Sequence, residues 1–203
     1  MMLEASGMAN SRKLNNYLPE YDFAEKHKIV VKSSPEKIFE AIQNLDMGKS
    51  KIIKNLIKIR GIYSLLNPRE KSVYQSPIKL TIEEMTRKSG FISLEDVSNQ
   101  EMVMGFIGKF WQPTSGIVQL SGANDFIHFN QTGYCKAAWN FYLQQNTGDT
   151  VTLSTETRVL CLGCRAKFLF RIYWLVIRPF SGWIRLEMLK MTKELAEGKN
   201  GKD

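Results

Sequence analysis

The chain has 203 residues, with 28 Lys+Arg against 20 Asp+Glu for a net charge of +8, and 43% of its residues are hydrophobic. That balance excludes collagen-like, low-complexity and globally disordered chains, and the length suits one domain able to bury about 70% of its unfolded surface. The positive excess raises nucleic acid and membrane surfaces as partners, to be judged by where the charges fall.

In chain order, residues 1–22 read as a loosely ordered leader, 23–197 as one domain and 198–203 as a disordered tail. The β-rich run over residues 23–32 predicts a first strand. Ser34 as N-cap, Pro35 at the first helical position and Glu36 in the first turn predict a helix, continued by Ile38, Phe39, Ala41, Ile42 and Leu45 at helical spacing. After Asp46 and Gly48 a second helix is expected. Ile52, Ile53, Leu56 and Ile57 fall on one side, Lys51, Lys54 and Lys58 on the other, and Gly61 closes it. Pro68 and Pro77 predict loop with short pieces over 62–78. Segments 79–86, 90–97, 101–111, 115–120, 125–132, 134–145 and 150–162 are rich in β-branched and aromatic residues between turn residues, so an antiparallel sheet is expected.

The sharpest local signal is the hairpin 134–162, with Asn146, Thr147 and Gly148 as a three-residue loop and Gly148 in the left-handed position. That loop sets Leu143 opposite Val151, Phe141 opposite Leu153 and Trp139 opposite Thr155. One face then carries Cys135, Ala137, Trp139, Phe141, Leu143, Val151, Leu153 and Val159; the other carries Lys136, Asn140, Ser154, Glu156 and Arg158. A long helix is expected over 166–197. Its apolar stripe is Phe170, Tyr173, Ile177, Phe180, Ile184, Met188, Met191 and Leu195, with Lys167, Arg171, Arg178 and Arg185 on the opposite side. Pro179 with Ser181 and Gly182 predicts a bend or break in its middle.

The order strand, two short helices, antiparallel strands and one long helix, over residues 24–197, resembles the helix-grip architecture of the START/Bet v 1-like (SRPBCC, polyketide cyclase-like) superfamily. The opening Lys28-Ile-Val-Val-Lys-Ser-Ser-Pro-Glu-Lys-Ile-Phe39 is similar to that superfamily's first strand and helix. Lys136-Ala-Ala-Trp-Asn-Phe141, Leu153-Ser-Thr-Glu-Thr-Arg-Val159, Tyr173-Trp174 and Arg178-Pro-Phe-Ser-Gly182 resemble uncharacterised bacterial members. The resemblance implies an α+β fold in which a curved antiparallel sheet wraps the C-terminal helix around an apolar cavity. It carries no particular chemistry, because that superfamily's functions vary widely.

In such a cavity, Phe106, Phe110, Trp111, Trp139, Phe141, Tyr173, Ile177 and Phe180 would form the walls for a small hydrophobic or amphipathic ligand; the alternative is that they pack together as plain core. Glu156 and Arg158, with Lys136 and Asn140, are either an acid–base constellation or a solvated cross-strand ladder worth about 0.2–1 kcal/mol per pair. His27 and His128 stand alone in sequence, and no His/Cys/Asp cluster has metal spacing, so neither metal nor cofactor is expected. Cys161-Leu-Gly-Cys164 has no second pair for zinc and reads as a strand-to-helix turn. Gly105-Phe-Ile-Gly108 lies within a strand pattern, and no phosphate loop or nucleophile elbow occurs.

Lys49, Lys51, Lys54, Lys58 and Arg60 form the main basic cluster, either an ordinary solvated helix face or a patch for anionic head groups. No nucleic-acid motif accompanies it. An odd cysteine count and no apolar leader stretch in residues 1–16 fit a cytoplasmic chain, and either Met1 or Met8 serves as a start. Residues 168–184 are the most membrane-like, but Arg171 and Arg178 would each cost about 2.5–3.5 kcal/mol in a span. Three functions are therefore carried forward for a monomer or dimer. The first is binding of a hydrophobic or amphipathic small molecule. The second is a cyclase or dehydratase using Glu156 or His128 as base, and the third is peripheral lipid binding or transfer through the basic second helix.

Overall fold

Alternating side chains along five strands build one antiparallel sheet in the computed structural model, which describes residues 13–53, 81–88, 90–112 and 115–198. The strands are β1 (Phe23–Val31), β2 (Ile92–Val97), β3 (Glu101–Gly108), β4 (Cys135–Gln145) and β5 (Val151–Cys161), in the order β1-β5-β4-β3-β2. The helices are α1 (Leu14–Tyr17), α2 (Pro35–Gln43), α3 (Ile82–Lys88), α4 (Ala123–His128) and α5 (Cys164–Ala196). The architecture is thus α+β, with a long C-terminal helix packed on a five-stranded antiparallel sheet.

Ser34 caps α2 as expected, its hydroxyl accepting from the Lys37 amide, with Pro35 at the first helical position. The sheet's inner face meets α2 and α5 through Val31, Ile38, Ile42, Trp139, Phe141, Leu153, Met188 and Leu189. The outer face is also covered. Leu14 and Leu18 from α1 and its end, and Phe126 from α4, are fully buried against Leu94, Val103, Ile107 and Ala138. The leader expected to be loose therefore supplies part of the core from residue 13 onward, because Leu14 and Leu18, one helical turn apart, project together onto the sheet.

Several sequence expectations are corrected. Residues 79–86 were expected as a strand, but α3 occupies 82–88. Thr81 Oγ1 accepts from the Glu84 amide at 3.2 Å, and this cap outweighs the β-branched composition. Residues 125–132 were likewise expected as a strand. They begin in α4, where one short turn seats Phe126 in space left by Gly105, at which a Cβ would come within 3.0 Å of the Phe126 ring. Residues 115–120 contribute a single bridge, Ile107 to Val118, rather than a strand.

The hairpin register is shifted by two: Leu143 faces Leu153, Phe141 faces Thr155 and Trp139 faces Thr157. The turn is moved on by one residue: the Asn146 amide bonds to the Thr150 carbonyl at 3.0 Å, leaving Thr147, Gly148 and Asp149 between them with Gly148 at φ +83°. An even shift leaves every side chain on its expected face. Helix α5 runs unbroken through Pro179. Of the expected second helix, residues 51–53 are helical, with Ile53 buried and Ile52 exposed; Leu56, Ile57 and Gly61, and the loop expected over 62–78, lie outside the described residues.

Candidate functional site

Strand alternation in β1 places Phe23, Glu25, His27, Ile29 and Val31 on the inner face, so a carboxylate and an imidazole sit within an otherwise apolar row. Register carries the row across the sheet. Glu25 pairs with Thr157, which pairs with Trp139; His27 pairs with Thr155, which pairs with Phe141. Above them lies α5, at Gly182 and Arg185. Gly182 allows the approach: a Cβ there would fall 2.8 Å from Glu25 Oε1 and 3.5 Å from His27 Nε2.

Within this layer Glu25 Oε1 lies 3.2 Å from His27 Nε2. The Arg185 guanidinium stacks 4.3 Å above the Trp139 ring, and its NH1 reaches Thr155 Oγ1 at 3.4 Å. Burial lowers the Arg185 pKa to about 10, against the opposing pull of Glu25, so it stays charged at neutral pH. Arg185 was expected on the polar side of the helix. It faces the sheet instead, because the C-terminal half of α5 buries Gly182, Leu189, Thr192 and Ala196 beside Met188 of the expected stripe, with Ile184 and Met191 half-buried and only Leu195 at its end exposed.

Three buried polar atoms here, Glu25 Oε2, Trp139 Nε1 and Thr157 Oγ1, have no hydrogen-bond partner. They supply one carboxylate acceptor, one indole donor and one hydroxyl, on adjacent positions of one cross-strand row. An aromatic wall continues from them. Phe91 lies 6.4 Å from Trp139 and 4.2 Å from Phe106; Phe106 lies 5.0 Å from Phe110, Phe110 6.1 Å from Phe170, and Phe170 5.7 Å from Tyr173.

Of the residues proposed to line a cavity, Phe106, Phe110, Trp139, Phe141 and Tyr173 are brought together along this wall, and Trp111 packs at its far end. Ile177 and Phe180 are half-buried on α5, with Phe180 edge-on to Trp183. An open groove of about 600 Å³ lies elsewhere, between the β1–α2 turn and the end of α5.

Glu156 and Arg158 occupy the opposite face. Arg158 Nε donates to Glu156 Oε1 at 2.6 Å, and its NH1 donates to Asn15 Oδ1 at 2.6 Å and the Leu18 carbonyl at 3.1 Å. Asn140 donates to Glu101 Oε1 at 2.7 Å and accepts from the Glu156 amide at 2.8 Å. The solvated ladder expected here is corrected: Glu156, Arg158, Asn140 and Lys136 are all buried, because α1 with its flanks and, over Lys136, α4 cover this face. Lys136 is not a partner of Glu156; it donates to the Ile127 carbonyl at 3.0 Å over the Phe126 ring, and burial lowers its pKa. His128, exposed at the end of α4, has Nδ1 2.9 Å from the Asn124 carbonyl. Lys49 and Lys51 are exposed, while Lys54, Lys58 and Arg60 lie outside the described residues.

Glu25, His27, Thr157 and Arg185 were missed as a site. The signal available was the Glu25/His27 alternation inside an apolar strand face; the rest depends on register and on how α5 turns. Among the described residues, no cluster of metal-ligating side chains occurs and no helix is long and apolar enough to cross a membrane.

No family model matches the chain, and no curated protein matches it. Among solved structures, a hypothetical protein of Helicobacter pylori aligns with a TM-score of 0.42 at 10% identity, covering 91% of this chain and 96% of the other. A protein of Thermus thermophilus aligns with a TM-score of 0.28 at 8% identity, covering 88% and 100% of the two chains.

Proposed function

We propose that the chain is a cytoplasmic helix-grip protein that binds a small amphipathic molecule between the sheet and α5. The ligand's polar end engages Glu25, Trp139 and Thr157, and its apolar part lies along Phe91, Phe106, Phe110 and Tyr173. The observation that carries this reading is the row of three unpartnered buried polar atoms bordered by aromatic rings. A buried polar group without a partner costs about 1–3 kcal/mol, a cost that a ligand with a matching donor and acceptor would remove.

Arg185, charged and fixed over Trp139, sits against the Glu25 carboxylate, so the row favours a polar head group that both donates, to Glu25, and accepts, from the Trp139 N–H. A binding role is favoured over proton-transfer chemistry because Glu156, a candidate base, is held by Arg158 on the other face of the sheet, and His128 is exposed at the end of α4.

Native mass spectrometry of freshly purified protein tests the reading. A co-purified adduct of small-molecule mass is expected, lost or much reduced in a Trp139→Phe/Thr157→Val variant that folds normally. A bare protein mass, combined with no uptake of a hydrophobic fluorescent probe displaceable by fatty acids, would remove it.

A further inference from the structure

We propose that the outward face of α5 is a docking surface for an anionic phospholipid bilayer, with the helix lying in the plane of the interface. This surface is opposite the candidate ligand site and does not rest on it.

Phe168, Ile172, Leu175, Val176, Trp183 and Leu186 are exposed, from 48% for Leu186 to 74% for Leu175. At about 100° per residue they fall within a roughly 100° arc, and from first to last they run about 27 Å along the helix. This stripe is additional to the apolar side that packs on the sheet, so the segment is apolar nearly all round while only one side is covered by the described residues. A helix with that pattern requires a second apolar environment.

The charges on the same segment select which one. Residues 164–186 contain five basic residues, Arg165, Lys167, Arg171, Arg178 and Arg185, and no acidic residue. Arg171 and Arg178 are exposed along one edge of the stripe, Arg165 and Lys190 stand at its two ends, and Arg185 alone turns inward to Trp139. Arg165, Arg171 and Arg178 have no acidic partner among the described residues. A second copy of the chain would set the same arginine edge against itself with no acid to complement it. An anionic bilayer matches both halves of the pattern, taking the apolar stripe into the acyl boundary and the guanidinium groups at the head groups. Phe168 and Trp183, toward opposite ends of the stripe, suit that boundary, and no described helix is long and apolar enough to cross it.

The test is vesicle co-sedimentation of the full chain with phosphatidylcholine alone and with 30% phosphatidylglycerol, at low and high salt. Binding to the anionic vesicles should be at least tenfold stronger than to neutral ones and should weaken with salt. Leu175→Ser/Trp183→Ser should lower it at least tenfold with an unchanged melting temperature, since both side chains are exposed. Arg171→Gln/Arg178→Gln should erase the preference for anionic lipid. Equal binding to both vesicles, no binding, or full binding by Leu175→Ser/Trp183→Ser would each overturn the proposal. So would a concentration-dependent dimer in sedimentation velocity that the same serine variant abolishes, since it would assign the stripe to a second copy.

Discussion

Glu156 and Thr157 are consecutive residues of one strand, equally buried at 7% and 8% exposure, and they meet opposite fates. On the outer face, Glu156 belongs to a chain of hydrogen bonds running from Glu101 through Asn140 to Arg158 and on to Asn15 and the Leu18 carbonyl. On the inner face, the Thr157 hydroxyl, the Trp139 indole N–H and one Glu25 oxygen are buried with nothing to bond. What covers each face makes the difference. The outer cover is a short helix and its flanks, which bring amide side chains and a free carbonyl. The inner cover is a long helix presenting Gly182, a stacked arginine and aromatic rings, which offer little to a hydroxyl or an N–H. Burial alone therefore does not separate the polar groups of this sheet, whereas the presence or lack of a partner does.

The largest expected effect breaks the satisfied side. Arg158→Met keeps most of the side-chain volume but leaves Glu156 buried beside only a distant Lys26, 3.6 Å away at its other oxygen. Loss of one partner of a buried pair costs about 3–5 kcal/mol, which in a domain of this size lowers Tm by roughly 10 °C. Adding Glu156→Gln should recover part of that loss, since the stranded charge is its main source. Urea titration of the two variants measures both. Ligand occupancy on the inner face should be unchanged in the folded fraction. If Arg158→Met unfolded nothing but emptied the ligand site, the two faces would have to exchange roles.

Thr157→Val acts with the opposite sign. It replaces an unpartnered hydroxyl by a methyl of the same size, so ligand-free protein should gain about 1 kcal/mol, while binding of a ligand that uses the hydroxyl should weaken about tenfold. Differential scanning fluorimetry with and without the extracted ligand reads both changes. A variant that loses stability and keeps its affinity would show Thr157 to be structural, like its neighbour.

Much of this contrast was legible in the sequence, though not which side leaves its polar groups without partners. The alternation in 134–162 sorts the two faces correctly even with the register displaced by two, because any even shift preserves sides. Glu156 and Arg158 drew notice as charges, and their burial depends on Leu14 and Leu18, two leucines in a polar stretch too short to signal a helix that docks. The candidate row was partly readable in Glu25 and His27, whose inward positions interrupt Phe23, Ile29 and Val31. Trp139 and Thr157 look like ordinary strand residues. Their unpartnered state is set by the position of α5, where Gly182 and the half-turned stripe decide what faces them.

The smallest effect concerns the end of the inner face beyond the proposed ligand row. Cys135 and Cys161 sit opposite each other at the α5 end of the hairpin, their sulfurs 3.0 Å apart and both buried beneath Phe110, Ala166 and Phe170, whereas Cys164 is exposed. The hydrogen bond with Cys161, together with burial, pushes the Cys135 thiol well above the ordinary thiol range. Because its folded pKa is raised, the contribution is whole below the unfolded value near 8.5 and declines above it. In that range the unfolded thiol releases its proton and the folded one keeps it. Between pH 8.5 and 9.0 this term should lower stability by roughly 0.4 kcal/mol, and Cys135→Ala should flatten that slope. With a thiol reagent, native protein should show one fast-reacting cysteine, Cys164, at either pH, and three after unfolding. A second fast thiol in the native protein would mean that the packing of α5 on the hairpin opens at Phe170, so that the proposed ligand site would reach past the row from Glu25 to Trp139.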